Sequence, residues 1–269
     1  MITIIGCGTL GSRVAHKLRD CQLSVVDHDV VYEHNLASQK YSRRDIGTQK
    51  VYALMRVIPS IRAHNTFLDE TNIQLLGSSE AIIDCTDNLL TRKLLGQYCY
   101  ENGIPLIHGA AAKKRGIVGC FINNPCLACV YKNKISLENC RGSEINEQVA
   151  EQIANKQASL ARKVLSGKEH FELYLVYPQK LEEIHLQPCQ GCKEQHKQEQ
   201  FYMTWCPLAA ALSAKPLQQV MLKEETIKKK DVRIEVHPNG EIHFFGSEDI
   251  DELKRLAKEI YNNNSESLS

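Results

Sequence analysis

The stretch that decides the fold is Ile2-Thr3-Ile4-Ile5-Gly6-Cys7-Gly8-Thr9-Leu10-Gly11. A short apolar run leads straight into a G-x-G-x-x-G and then into a helical pattern carrying Val14 and Leu18. Glycines at those three places allow a tight turn, close approach of the backbone to a phosphate, and close packing of helix on strand. The helix that follows presents unpaired N–H groups to an anion. A second strand, Leu23 to Val26, ends in Asp27, sixteen residues past the last glycine, where an acid can accept from ribose hydroxyls. The stretch therefore predicts a nucleotide site at the mouth of a βαβ unit.

The same alternation continues outward. Lys50 to Ile58 reads as a helix with Val51, Leu54, Met55 and Ile58 on one face, Ala81 to Ile83 as a buried strand, and Leu89 to Cys99 as a helix. Pro105 to His108 and Gly116 to Ile122 read as further strands. Buried strands separated by helices predict a doubly wound, Rossmann-like α/β fold with a mostly parallel sheet. Residues 145–166 form a polar helix pattern, followed by two short strands, Phe171–Tyr177 and Glu183–Leu186. The expected organisation is an ATP-binding domain with a zinc-knuckle region over 1–192, a linker and helix over 193–230, and a small ββα unit over 231–269. In that last unit Val232, Ile234 and Val236 alternate, Asn239-Gly240 predicts a hairpin turn, and Ile250, Leu253, Leu256, Ala257 and Ile260 share a helix face.

Composition excludes several classes. At 269 residues with 43% hydrophobic and 24% charged residues, the chain has enough apolar material for a large core, which rules out disorder for the bulk. Lys and Arg (33) nearly cancel Asp and Glu (32), so binding to nucleic acid through phosphate contacts is not expected. No apolar run approaches the roughly eighteen residues of a membrane span. The start has no cationic region before its apolar residues, so no secretory signal is expected and the cytoplasm is the anticipated compartment. Eleven cysteines, an odd number, then fit a reducing compartment better than a disulfide framework.

Which nucleotide binds depends on three further segments. After Asp27-His28-Asp29 comes Asn35-Leu36-Ala37-Ser38-Gln39; Gly47-Thr48-Gln49-Lys50 then opens a helix; Asp87-Asn88 stands four residues before Arg92. A dehydrogenase needs none of these. An enzyme handling a triphosphate uses them all: Lys50 to neutralise phosphate, Asn35 to donate to phosphate oxygens, Asp87 to hold Mg²⁺. Together, and in this order, the segments resemble the ThiF/MoeB/HesA family, relatives of ubiquitin-activating enzymes, over roughly residues 1–192.

The resemblance implies an enzyme that binds Mg-ATP and adenylates a carboxylate, usually the C-terminal glycine of a ubiquitin-like or sulfur-carrier protein, as a homodimer. It implies Gly6, Gly8 and Gly11 at the phosphates, Asp27 at the ribose, Asn35 and Lys50 as phosphate contacts, Asp87 at Mg²⁺, and Asp29 and Asn88 in support. Ser38 stands where the family carries a phosphate-binding arginine, and Arg43, Arg44 or Arg13 are the candidates to replace it. Adenylation of a small-molecule carboxylate is a variant of this reading. A nicotinamide oxidoreductase is the alternative from another reaction class, and a scaffold without catalysis is a third.

Cys126-Leu127-Ala128-Cys129 and Cys189-Gln190-Gly191-Cys192 are two C-x-x-C knuckles, each preceded by proline, and together offer the four thiolates a structural Zn²⁺ takes. Cys140 sits in a polar segment beside Arg141, which favours the reactive thiolate, and is the candidate for a covalent step. Cys206, beside Trp205, is expected to be packed away, and His108 to be a hydrogen-bonded core histidine.

Overall fold

The computed structural model describes residues 1–112, 115–123, 125–132, 146–186, 201–206, 211–216, 225–229, 232–238, 242–245 and 250–265. The chain divides into two compact units, Met1–Asp87 with Thr91–Cys192, and Lys193–Ser269, which also takes in Asn88–Leu90.

The first unit is built on an eight-stranded sheet in the order β3-β2-β1-β4-β5-β6-β7-β8. Its strands are β1 (Ile2–Ile5), β2 (Leu23–Asp27), β3 (Arg62–Asn65), β4 (Ala81–Asp84), β5 (Leu106–Ala111), β6 (Gly116–Phe121), β7 (Glu172–Tyr177) and β8 (Lys180–Glu183). The first five run parallel and β6 to β8 are antiparallel additions. Because both faces are covered, the central strands are apolar throughout, and successive residues serve opposite cores. Ile2, Ile4, Val25 and Ile83 face α1 (Thr9–Lys17), α2 (Lys50–Val57) and α5 (Glu147–Leu165). Ile5, Val26 and Ile82 face α3 (Leu89–Asn102), with Leu95 and Cys99 packed against them, and Leu127 and Val130 of α4 (Leu127–Lys132) complete that side. Helices on both faces of a largely parallel sheet make this the doubly wound α/β architecture expected from the sequence.

Helix α5 is held by capping and by burial of one face. Asn146 caps it by accepting from the Val149 N–H, and nine of its residues are buried, among them Val149, Ile153, Gln157 and Ala161. It lies against α1 and strands β4 to β6.

Two details differ from the sequence reading. β3, a polar edge strand, carries no apolar alternation and was not anticipated. The second hairpin strand is Lys180–Glu183 rather than Glu183–Leu186, paired so that Tyr177 meets Lys180 across a tight turn.

The second unit is a five-stranded sheet in the order β11-β12-β13-β10-β9, where β9 is Phe201–Cys206, β10 Ala211–Pro216, β11 Glu225–Lys229, β12 Val232–Val236 and β13 Ile242–Phe245. Strands β9 to β11 occupy the region read from sequence as linker and helix. Phe201-Tyr202-Met203-Thr204-Trp205 is rich in aromatic and β-branched residues, the composition of a strand. Val232, Ile234, Val236, Ile242 and Phe244 present one apolar face to Leu253, Leu256, Ala257 and Ile260 of α6 (Ile250–Ser265). The Asn239-Gly240 turn lies outside the described residues, while β12 and β13 pair antiparallel on either side of it. Among the described residues no helix is long and apolar enough to cross a membrane.

Candidate functional site

The chain leaves β1 toward β2 on one side, and β4 lies on the other, so the carboxyl ends of β1 and β4 flank the point where strand order reverses. In open α/β sheets ligands bind in the crevice there. The residues after β1 are the glycines. Gly6 has φ +86, and a Cβ on it would lie 2.9 Å from the Cys85 carbonyl oxygen, so the loop must pass hard against the segment after β4. A Cβ at Gly11 would fall 1.8 Å from the Gly6 carbonyl oxygen, which only glycine allows. Gly8 is different: nothing lies within 4 Å of where its Cβ would be. It caps α1, whose first turn has neither a side-chain cap nor an acidic residue, so the positive end of the helix faces open space.

Asp27, at the end of β2, fixes this loop. Its Oδ2 accepts the Cys7 N–H at 2.5 Å and its Oδ1 accepts the Asp29 N–H at 2.7 Å. Tyr41 donates its hydroxyl to the Cys7 carbonyl at 2.7 Å. Lys50, the first residue of α2 and only 5% exposed, donates to Asp29 Oδ2 at 2.7 Å. An ammonium has three donors, and one is thereby engaged. Asn35 is buried in a 3₁₀ turn, Glu33–Ala37, with its Oδ1 accepting the Tyr32 N–H, a bond that orients its amide. Thus Gly6, Gly8, Gly11, Asp27, Asp29 and Lys50 form one connected constellation at the carboxyl edge.

Arg13 is 2% exposed, and its guanidinium donates to the carbonyls of Thr9 (2.9 Å) and Ser38 and pairs with Glu147 and Glu151 of α5, each at 3.3 Å. It clamps the Ser38 segment to α1 and α5, a structural engagement that the sequence does not show. Arg43 and Arg44 lie exposed in a 3₁₀ turn, Arg43–Asp45, whose Asp45 is fixed by the Ser42 N–H and hydroxyl. Neither arginine carries an ion pair among the described residues.

Beneath the loop after β4 lies a network that the motifs do not reveal. Asp84, fully buried, accepts from Thr86 Oγ1 at 2.7 Å and the Thr86 N–H at 2.9 Å, and meets His108 Nδ1 at 2.7 Å. Burial pushes its carboxyl up, but the His108 bond and the nearby charges of His108 and Arg92 outweigh this and hold it below the usual range. Burial likewise lowers His108. Arg92 donates to the Thr86 carbonyl, and Gln157 of α5 donates to the Asp84 carbonyl at 2.9 Å. The network shapes the loop that carries Asp87, which is exposed at the carboxyl edge, and Asn88, half-buried just before α3. His108 is therefore a positioning residue of the core, as its apolar neighbours suggested.

Cys126 and Cys129 are both buried, with Sγ atoms 3.8 Å apart, and Tyr100 and Leu186 pack against them. Cys189, Cys192 and Cys140 lie outside the described residues, and of Cys206 only its place in β9 is described. Burial pushes up the thiols of Cys7, Cys85, Cys99 and Cys120, the last to about 12, so none of these is poised as a nucleophile.

Comparison with known proteins fits this geometry. Adenylyltransferase and sulfurtransferase MOCS3 of Dictyostelium discoideum is 28% identical over 184 residues, 62% of this chain and 43% of the relative. Molybdopterin-synthase adenylyltransferase of Escherichia coli K12 is 28% identical over 183 residues, 62% of this chain and 73% of the relative. SAMP-activating enzyme E1 of Haloferax volcanii is 30% identical over 142 residues, 48% and 53% of the two chains. The chain spans about half the length of the first curated relatives it matches. The crystal structure of E. coli MccB with ATP shares the fold, with a TM-score of 0.59 at 19% identity, covering 70% of this chain and 63% of that one. The ThiF family profile matches residues 1–208, and on that match the chain belongs to the ThiF family.

Proposed function

We propose that the chain uses Mg-ATP to adenylate a carboxylate, the C-terminus of a ubiquitin-like or sulfur-carrier protein. The observation that carries this is the convergence of the glycine loop, Lys50 and the Asp87 loop at one crevice, since a nicotinamide enzyme would leave Lys50 and Asp87 idle. Relatives named as adenylyltransferases and a SAMP-activating enzyme support the same reaction. The partner's carboxylate attacks the α-phosphorus of ATP and pyrophosphate leaves, giving an acyl-adenylate. A carboxylate is already ionised, so no side-chain base is needed. Positioning and charge neutralisation do the work: backbone N–H groups around Gly8 and the start of α1, Lys50, Asn35 and Arg44 toward the phosphates, and Asp27 toward the ribose. Mg²⁺ supplies further neutralisation when bound, with Asp87 as its protein ligand and Asn88 beside it. The Cys140 thiolate then attacks the acyl carbonyl of the adenylate, forming a thioester as the C–O bond to AMP breaks and AMP leaves.

A structural Zn²⁺ held by Cys126, Cys129, Cys189 and Cys192 belongs to the same proposal. Thiolates at a Zn–S distance of about 2.3 Å in tetrahedral geometry lie about 3.8 Å apart, the spacing of the Cys126 and Cys129 sulfurs. Leu186, three residues before Cys189 in sequence, packs against that pair.

The test is substitution of an exposed residue. Asp87→Ala should keep the fold by circular dichroism and lose at least a hundredfold in carrier-dependent ATP–pyrophosphate exchange. Unchanged exchange at saturating ATP would remove Asp87 from the site.

A further inference from the structure

We propose that Glu235, His237 and His243, on the C-terminal sheet, form a second metal site that takes Zn²⁺ or a similar late first-row divalent ion. Glu235 and His243 are directly opposed across β12 and β13, and His237 lies two residues beyond Glu235 on the same face. The alternating residues Val232, Ile234 and Val236 point inward to α6, so this trio occupies the opposite face. One ligand atom from each of the three residues lies within 4.8 Å of the others, and all three are half-buried.

The distance between the imidazoles is informative. His237 Nε2 and His243 Nδ1 are 3.1 Å apart, with the rings tilted at 59°. Two nitrogens bound to one ion at about 2.0–2.1 Å stand about 2.9 to 3.4 Å apart for coordination angles between square and tetrahedral. The same 3.1 Å fits a hydrogen bond between the rings; a carboxylate oxygen within 4.8 Å of both nitrogens makes three donors that one ion could join. Two imidazoles and one carboxylate are a ligand set that Zn²⁺, Ni²⁺ and Cu²⁺ prefer over Mg²⁺ or Ca²⁺. Arg233 flanks the trio, 3.6 Å from Glu235 Oε1 and stacked over the Phe245 ring at 4.2 Å. A carboxylate with two oxygens can serve both the guanidinium and an ion. Three protein ligands leave a further position for water or an external donor. The ion would tie β12 to β13.

The experiment is metal counting on the full chain after dialysis against excess Zn²⁺ and removal of loosely bound ion. His237→Gln and Glu235→Gln should each bind one Zn²⁺ fewer per chain than wild type, while His170→Gln, an exposed histidine elsewhere, should bind the same number. The difference of one is expected whether or not the cysteine knuckles hold zinc, so the two sites are scored separately. Cu²⁺ bound at one equivalent provides an independent probe. Its electron paramagnetic resonance spectrum should show coupling to two imidazole nitrogens in wild type and lose one of them in His237→Gln. Equal zinc content in wild type and both variants, or a Cu²⁺ spectrum unchanged by His237→Gln, would overturn the site.

Discussion

Gly8 and Gly11 separate two uses of glycine that a motif cannot distinguish. Gly11 is required by the protein itself, since any Cβ there collides with the Gly6 carbonyl. Gly8 faces open space, so under the proposed function its lack of a side chain leaves room for the phosphates. Gly11→Ala should therefore lower the melting temperature by several degrees, whereas Gly8→Ala should melt within about two degrees of wild type yet lose tenfold or more in ATP affinity by calorimetry. Equal losses of affinity and stability in both variants would contradict the distinction. Arg13 makes a related point. It is one of three candidates in the sequence for the arginine missing at Ser38, and its ion-pair partners are Glu147 and Glu151, far along the chain on α5. Arg13→Ala leaves the Thr9 and Ser38 carbonyls without that donor, while Glu147 is exposed and Glu151 keeps Lys17, and it should cost about 1–3 kcal/mol of stability as measured by denaturant unfolding. That Asp27 ends a strand and Lys50 opens a helix was legible in the sequence; contacts set by a helix over a hundred residues away were not.

The same limit appears among the elements. The central strands were readable as short apolar runs, and α1, α2 and α5 because each buries one apolar face and so shows its period. β3 is a polar edge strand, with Arg62 and Asn65 exposed, and has no such signature. The strands of the C-terminal sheet between Phe201 and Lys229 were missed because lysine- and glutamine-rich stretches surround them. Glu172, at the start of β7, shows what packing adds to an unremarkable acid. Burial raises its carboxyl, but Lys163, Lys156 and Tyr174 more than offset this and hold it at about 2 instead of the usual 4.5. A carboxyl depressed in the folded state contributes stability above its unfolded value and loses it as pH falls toward the folded one. Unfolding free energy should accordingly drop between about pH 4.5 and 2, and Glu172→Gln should flatten that part of the profile. An identical acid limb in the variant would show that other groups control it.

At the scale of the whole molecule, the crevice at the β1–β4 switch point joins segments that are separate in sequence, and this is why the motifs made sense only together. The Asp84–His108–Gln157 network beneath it is signalled in the sequence only by Asp84 and His108 within otherwise apolar strands; Gln157, on α5, gives no such signal. The cysteine knuckles belong to this scale too, since they would pin distant parts of the first unit to each other. Freshly purified protein should contain zinc, and Cys126→Ser should lose one equivalent and unfold at a markedly lower temperature; a full zinc content in that variant would refute the assignment. The most direct test of the central claim is ATP–pyrophosphate exchange by the wild-type chain with ubiquitin-like sulfur-carrier proteins that end in glycine, run beside a calorimetric titration with NAD. The expected result is Mg²⁺-dependent exchange that requires the carrier's free C-terminal carboxylate, with no measurable NAD binding. Tight NAD binding, with no exchange for any carrier, would contradict it.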